Sequence, residues 1–201
     1  SLYGPSHAEE VVRKLPTTLV AACPKKTTSK RIQELMSSEV LRVYRNKDIL
    51  GVEIGGSLKN VMAIAAGICD GIGYGDNSKA AILTRGITEM TRLGVKMGAK
   101  KSTFSGLSGI GDLLVTALSQ HSRNRYVGEC IGQGKSLQEV TDGMDMIAEG
   151  INTCQAVPRI VEKYDIEMPI AMAVNGILFK NKDPLAAVKE LMTRNLAAEK
   201  R

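Results

Sequence analysis

Aromatic side chains are scarce in this sequence: tryptophan is absent, and Phe, Tyr and Trp together make up 3% of 201 residues. Proteins that hold single-stranded nucleic acid rely on aromatic stacking platforms, so a formal net charge of +6 does not by itself point to a nucleic-acid partner. The basic residues are scattered as well, pairing at Lys25 and Lys26, Lys100 and Lys101, and Arg123 and Arg125 without forming a stripe. A modest positive field suits small anionic substrates equally well. Cysteine is sparse: Cys23, Cys69, Cys130 and Cys154 lie far apart, a spacing that offers neither a zinc pattern nor a disulfide framework. They read as reduced filler, and no metal site is expected. No uncharged apolar run reaches the roughly 18 residues that a membrane helix needs, and the amino terminus has no basic segment followed by an apolar stretch. The expectation is a cytoplasmic chain with no membrane span. Also missing is a dinucleotide fingerprint. GIGYG at Gly71 and GLSGIG at Gly106 are glycine-rich, but neither follows a strand within a strand-helix-strand unit, so both read as turns.

A chain of this length is one large domain, or a domain plus a fragment, and can bury a real core. Hydrophobic content of 43% beside 24% charged residues fits a soluble globular class. The first 48 residues differ from the rest. Ser6 followed by Glu9 has a capping-box spacing that opens a short helix through Val12. Thr17 to Cys23 is an apolar run of strand length, Thr28 or Ser29 caps a helix through Met36, and Val40 to Tyr44 alternates like a strand. Strand, helix and strand imply a parallel α/β unit. With so few strands such a unit is incomplete, and its edges should favour association.

From Asp48, a cap, onward the pattern is helical throughout. The long apolar stretch from Gly51 is followed by helices at Asn77 to Met97, Asp112 to Leu118 and Ser122 to Ile131. Ser136 and Glu139 form another capping box, and further helices cover Ile147 to Lys163, Pro169 to Phe179, and a last one from Asp183 and Pro184 through Thr193. Lys101 to Gly111 reads as a glycine-rich turn region, and the tail from Asn195 as frayed. The fold class is mainly α, with residues 1–48 as an incomplete α/β unit and 49–201 as a helical domain.

Lys59 is the odd residue of the central helix. Steps of three and four from it reach Val52, Gly55, Gly56, Ala63, Ala66 and Gly67, so its ammonium lies on a stripe of very small residues. Each interior glycine costs a helix about 1 kcal/mol against alanine, so something must approach this face closely. Two readings stay open: another helix backbone packs on the glycines while Lys59 reaches for water, or the glycines floor a pocket with a half-buried proton-transfer lysine. Asp112 shares a helical face with Thr116, and is either a helix cap or a functional carboxylate. Ser122, Arg123 and Asn124 open a helix whose unpaired amides and positive dipole end attract an anion, with a forked guanidinium added. An ordinary surface cap would look the same.

GVEIGGSLKN, GYGDNSKAAILTRG, GLSGIGDLLVT and HSRNR, in this order, strongly resemble the carboxy-terminal half of the bacterial-type NAD(P)-dependent glycerol-3-phosphate dehydrogenases, and the likeness runs from GPSHA to EGINTCQAV. The resemblance implies an all-helical, 6-phosphogluconate-dehydrogenase-like substrate-binding and catalytic domain over 49–201, preceded by the last α/β part of a Rossmann nucleotide-binding domain over 1–48. It implies hydride transfer between sn-glycerol 3-phosphate and dihydroxyacetone phosphate with NAD or NADP, supplying glycerophospholipid precursors. Carried over by motif, Lys59 exchanges the proton and Asp112 orients it. Gly4 and Ser6, with Ser122, Arg123 and Asn124, bind the phosphorylated substrate. Ala8, Arg123, Ile147 and Glu149 contact the cofactor, although Glu149 equally fits a solvated helix start. His7 stands where the family usually has an aromatic or other bulky residue, and no catalytic task is assigned to it. A homodimer is compatible with this reading. A non-catalytic helical interaction module derived from such an enzyme is the alternative, and a basic nucleic-acid-binding protein a third. Because the family's glycine fingerprint has no counterpart in the sequence, the 201 residues by themselves are expected not to catalyse hydride transfer.

Overall fold

The apolar run becomes the middle strand of a three-stranded sheet. A computed structural model of the chain describes every residue except 145, 197, 200 and 201. In it β2 (Thr17–Ala22) pairs in parallel with β3 (Leu41–Asn46), from Thr17 opposite Leu41 to Ala22 opposite Asn46. The helix α2 (Lys26–Met36) makes the crossover, as the strand-helix-strand reading requires. A two-residue strand β1 (Leu2–Tyr3) lies antiparallel on the other side of β2, too short to leave a periodic signal. β1 pairs with β2 only at Val20 and Ala21, so among the described residues Thr17 to Leu19 on that side and the outer side of β3 have no strand partner and remain edges, while both faces of β2 are covered. Leu19 and Ala21 pack with Val43 and Ile32, while Val20 and Ala22 pack with Val52, Tyr3 and Leu107.

Two expected caps are not made. The short helix α1 (Ala8–Val11) starts from His7 without a side-chain cap, and the Ser6 hydroxyl turns back to donate to the Gly4 carbonyl at 3.0 Å. α2 starts from Lys25, directly after Pro24, so Thr28 and Ser29 lie inside the helix, with the Ser29 hydroxyl on the Lys26 carbonyl at 3.1 Å.

The remaining helices are α3 (Ile49–Gly71), α4 (Asp76–Lys96), α5 (Lys101–Phe104), α6 (Asp112–Leu118), α7 (Arg123–Gly132), α8 (Leu137–Asp142), α9 (Glu149–Tyr164), α10 (Pro169–Phe179) and α11 (Pro184–Met192). Asp48 caps α3 by accepting from the Gly51 amide at 3.0 Å, and its other oxygen accepts from the Lys100 amide and the Thr103 hydroxyl, tying the start of α5 to the same carboxylate. The capping box at Ser136 and Glu139 is complete. The stretch Lys101 to Gly111 is more helical than expected, with α5 followed by a π-helical turn (Leu107–Gly111) that runs into α6 without a break. Part of the expected frayed tail lies outside the described residues.

α3 is the hub. Sixteen of its 23 residues are buried, as expected for a helix apolar all round. By length and composition it is apolar enough to cross a membrane, but 72% of the relevant stretch is buried inside the protein. The helices α4, α6, α7, α9 and α10 pack around it. Its closest neighbour is α7, and glycines on both sides make the contact. A Cβ added at Gly67 would stand 2.0 Å from the Arg125 carbonyl oxygen, and one at Gly128 would stand 2.0 Å from that of Ile64. Gly71 and Gly132, one turn further along each helix, meet in the same way. Small residues at a spacing of four let two helix backbones touch. Thus the first reading of the glycine stripe holds for its later half.

Two long-range polar contacts finish the bundle. Pro158 lies within α9 and cannot donate to the Cys154 carbonyl, and the Asn175 amide of α10 donates to that carbonyl instead, at 2.9 Å. Glu89 of α4, 3% exposed, accepts from the amides of Ile170 and Ala171 at 2.7 and 3.2 Å, so it caps α10 from a neighbouring helix. Burial pushes its carboxyl up to about 7 despite these two donors. All four cysteines are free, and burial pushes Cys69 up to about 11 and Cys154 to about 12, which leaves these two thiols inert.

Gly128→Ala should cost on the order of 2–4 kcal/mol or prevent folding, because backbone rather than a flexible side chain blocks the methyl. Gly75→Ala, with nothing within 4 Å of the added carbon, should stay within about 1 kcal/mol. Urea denaturation of both variants makes the comparison, and similar losses would contradict the helix contact. Glu89 gives a second expectation. Its carboxyl is raised in the folded state, so its contribution is fully present below about pH 4.5 and is lost as pH rises through about 7. Between pH 5 and 8 the chain should lose stability on the order of 1–3 kcal/mol through this group. Glu89→Gln should be less stable at pH 5 but flatter across the interval, and parallel urea profiles for the two proteins would refute the assignment.

Candidate active site

Lys59 lies midway along α3, where Gly55 and Gly56 already have occupants. A Cβ at Gly55 would meet the Ser108 carbonyl of the π-helical turn at 2.4 Å, and one at Gly56 would meet the Tyr3 ring at 2.3 Å. These glycines do not floor a pocket, as the second reading supposed. They admit the π-helical turn and β1 against α3, one turn before Lys59. The lysine, 16% exposed, extends to Asp112 and pairs with its Oδ1.

Asp112 is not a cap, because helical backbone continues through Gly111 and the carboxylate makes no capping bond. It is 1% exposed. The Thr116 hydroxyl donates to its backbone carbonyl at 2.6 Å and lies 3.4 Å from Oδ1. Burial raises the carboxyl above the usual aspartate range, and the Lys59 ammonium and the Thr116 hydroxyl oppose this. Oδ2 is buried and has no hydrogen-bond partner among the described residues. A buried, unpaired carboxylate oxygen is a costly feature and marks a place for a donor.

The start of α7, where an anion site is expected, lies near the residue after Lys59, because a Cβ at Gly150 would stand 2.6 Å from Asn124 Oδ1 and 2.8 Å from the Asn60 carbonyl. Ser122 caps α7, accepting from the Arg125 amide at 3.2 Å. Arg123 is exposed and donates to the Ile147 carbonyl at 3.2 Å. Asn124, nearly buried, accepts from the Gly150 amide at 2.9 Å, so it caps α9, whose own N-cap Ala148 cannot. Arg123 and Asn124 thus hold the segment that carries Ile147 and Glu149. Glu149 itself is exposed in the first turn of α9, the solvated helix start that was its alternative.

The loop after β1 reaches the same region. Gly4 has φ +145° and sits where a Cβ would be 2.9 Å from the Thr18 carbonyl, so its glycine is required by the turn off the sheet. Ser6 and Ala8 are exposed beyond it. Next to them His7 places Nε2 3.4 Å from the Val115 carbonyl of α6, and its ring lies 6.1 Å from that of His121. This bridge between the loop and the start of α7 was not legible in the sequence, which separates the two histidines by more than a hundred residues. Two surface cavities of about 410 and 500 Å³ lie elsewhere, along β2, β3 and the π-helical turn and along α2 and β3, and neither includes Lys59 or Asp112.

Comparison with known proteins settles the family. Residues 48–189 match the family model described as the NAD-dependent glycerol-3-phosphate dehydrogenase C-terminus. The chain belongs to the NAD-dependent glycerol-3-phosphate dehydrogenase family. It is 59% identical over 198 residues to a glycerol-3-phosphate dehydrogenase [NAD(P)+] of Salinibacter ruber and 58% identical over 193 residues to one of Chlorobium phaeobacteroides, covering 98% and 96% of this chain. It spans 58% of the length of each of these relatives. Among solved structures, the glycerol-3-phosphate dehydrogenase of Coxiella burnetii superposes with a TM-score of 0.93 at 41% identity, over 96% of this chain and 59% of that one.

A nicotinamide cofactor, which the family implies, can be tested against the residues present. Its pyrophosphate needs a glycine-rich strand-to-helix turn, and the turn from β2 to α2 is Cys23, Pro24 and Lys25. Gly71 to Gly75 joins two helices, and Gly106 to Gly111 lies between α5 and α6. No such cradle occurs among the described residues. Arg123, which donates to the Ile147 carbonyl, and the Ile147–Glu149 segment are the expected contacts with the other end of the cofactor.

Lys59→Met should cost about 3 kcal/mol of stability, because it leaves the Asp112 carboxylate buried without its cation. Adding Asp112→Leu should restore at least half of the loss, since well-packed apolar groups replace a buried ion pair at little cost. Denaturant unfolding of the single and double variants checks the pairing. A double variant no more stable than the single one would show that the two side chains are not energetically coupled.

Proposed function

We propose that this chain supplies substrate binding and proton transfer to an oxidoreductase that interconverts sn-glycerol 3-phosphate and dihydroxyacetone phosphate, feeding glycerophospholipid precursor synthesis in the cytoplasm. In this reading residues 1–48 close a nucleotide-binding α/β domain and 49–201 form the helical substrate domain. The observation that carries it is the Lys59 and Asp112 pair, with one buried carboxylate oxygen still to be paired, next to Asn60, whose carbonyl lies with Asn124 of the α7 start against Gly150.

The roles follow from charge and position. The first amides of α7 and the Arg123 guanidinium hold the phosphate, and the remote binding energy places the reacting carbon. In reduction, Lys59 Nζ gives its proton to the carbonyl oxygen as the C–O double bond opens, and in oxidation it takes the proton of the same hydroxyl. Asp112 Oδ1 keeps the ammonium aimed. Oδ2 is placed to accept from a substrate hydroxyl or a further cation. A nicotinamide, NAD or NADP, would when bound supply or take up the hydride that balances this proton. Ser122 and Asn124 act through the geometry of the α7 start, with Gly4, Ser6 and Ala8 bordering it.

The test uses a dehydrogenase that joins these 201 residues to a nucleotide-binding segment, assayed with dihydroxyacetone phosphate and either reduced cofactor. Lys59→Met should lower kcat by about two to four orders of magnitude, as expected for loss of a general acid and base. Arg123→Ala should raise KM for the phosphorylated substrate severely and leave residual turnover of an unphosphorylated analogue little changed. Near-normal turnover in the Lys59 variant, or equal losses on both substrates in the Arg123 variant, would overturn the assignment.

A further inference from the structure

Arg125 follows the anchor triplet directly, and no step above uses it. Its side chain, 15% exposed, is engaged in three directions. Nε donates to the Ser119 carbonyl at 3.1 Å, one terminal nitrogen to Asp70 Oδ2 at 2.8 Å, and the other lies 3.1 Å from Glu129 Oε2. Its amide donates to the Ser122 hydroxyl. Asp70, at the end of α3 and 15% exposed, also receives Lys79 of α4 on its other oxygen at 2.5 Å. One guanidinium therefore touches the segment leading into the anchor, the helix that carries the anchor, and the last turn of the helix that carries Lys59.

The glycine contact explains why such a fastener matters. Backbone against backbone fixes the separation of α3 and α7, but a seam with few side chains has few knobs to stop one helix sliding along the other. A planar fork bound in several directions has one geometry only. We propose that Arg125 is a positioning residue for the anion site: held by Asp70, it sets the register of α7 along α3 and the course of Ser119 to Ser122, and so fixes where Arg123 and the first amides of α7 meet a phosphate relative to Lys59. This rests on Ser122, Arg123 and Asn124 being the phosphate anchor. A displacement of about 1 Å at such a site is enough to cost large factors in activity.

Arg125→Lys separates positioning from folding, because lysine keeps a cation for Asp70 but cannot also donate to Ser119 in the fixed plane of a guanidinium. The chain is titrated calorimetrically with glycerol 3-phosphate and with inorganic phosphate, and its thermal midpoint is recorded. Arg125→Lys should keep the midpoint within about 4 °C, the shift that roughly 1 kcal/mol gives a chain of this size, and weaken both ligands about 5- to 30-fold. Asp70→Asn, which keeps an acceptor but loses the charge, should weaken them about 2- to 10-fold and serves if the lysine variant does not fold. Affinity within twofold of the parent in the folded variants, with Arg123→Ala still abolishing binding, overturns the positioning role and leaves the anchor intact. Unchanged binding in Arg123→Ala, or no phosphate binding by the parent chain, overturns the anchor and this inference together.

Discussion

The approach of α3 to α7 at backbone distance is the constraint on which the rest depends. With Gly67 and Gly71 on one helix and Gly128 and Gly132 on the other, no side chain separates them. The cost is paid in helix propensity, about 1 kcal/mol for each interior glycine, and it is met by the apolar residues that α3 buries on its other faces. In return, α7 lies at backbone distance from α3, and the position of its amino terminus along α3 is left to side-chain contacts such as Arg125 with Asp70. In the proposed function an anion at that end and a proton donor on α3 share one frame, although more than sixty residues separate Lys59 from Ser122.

Placement of the other half of the site follows from a second close approach. The π-helical turn before Asp112 presses the Ser108 carbonyl on Gly55, so α6 enters with its first carboxylate facing α3. Asp112 could have satisfied its own helix start, which is the ordinary use of an aspartate there. It does not, because the helix already runs through Gly111 and needs no cap at residue 112. The carboxylate is left to pair with Lys59 at the cost of burial, which raises it above the usual aspartate range. A buried ion pair with one oxygen unpaired is weak evidence for stability and better evidence for a task.

What could be read from the sequence follows the range of the interactions. Caps at Asp48, Ser122, Ser136 and Asp183 were legible, because each is a side chain reaching its own helix within three residues. Ser6 and Thr28 have similar local patterns and cap nothing. Hydroxyl spacing does not reveal whether Pro24 lets a helix begin earlier or Gly4 offers a nearer carbonyl. Lys59, Asp112 and the anchor triplet were found by motif, and their meeting could be expected only from the family likeness. Glu89 with Ile170, Arg125 with Asp70, and His7 with His121 were invisible, since each joins elements more than fifty residues apart with no periodic trace.

The same division explains why the site is shared among elements of different character. Lys59 and Arg123 belong to helices whose separation is set by the glycine seam between them. Ile147 and Glu149 sit at a helix start that makes no cap of its own, held instead by Asn124 and Arg123. The segment is therefore only as well placed as the start of α7 is. In the proposed function, an anion drawn to the Arg123 guanidinium competes for the donor that reaches the Ile147 carbonyl, which links occupancy at the anchor to the position of the Ile147 segment through one side chain. By linkage, whatever orders one must favour the other or oppose it by the same factor, and Asn124, whose bond to Gly150 is buried, keeps the two ends of that coupling in register.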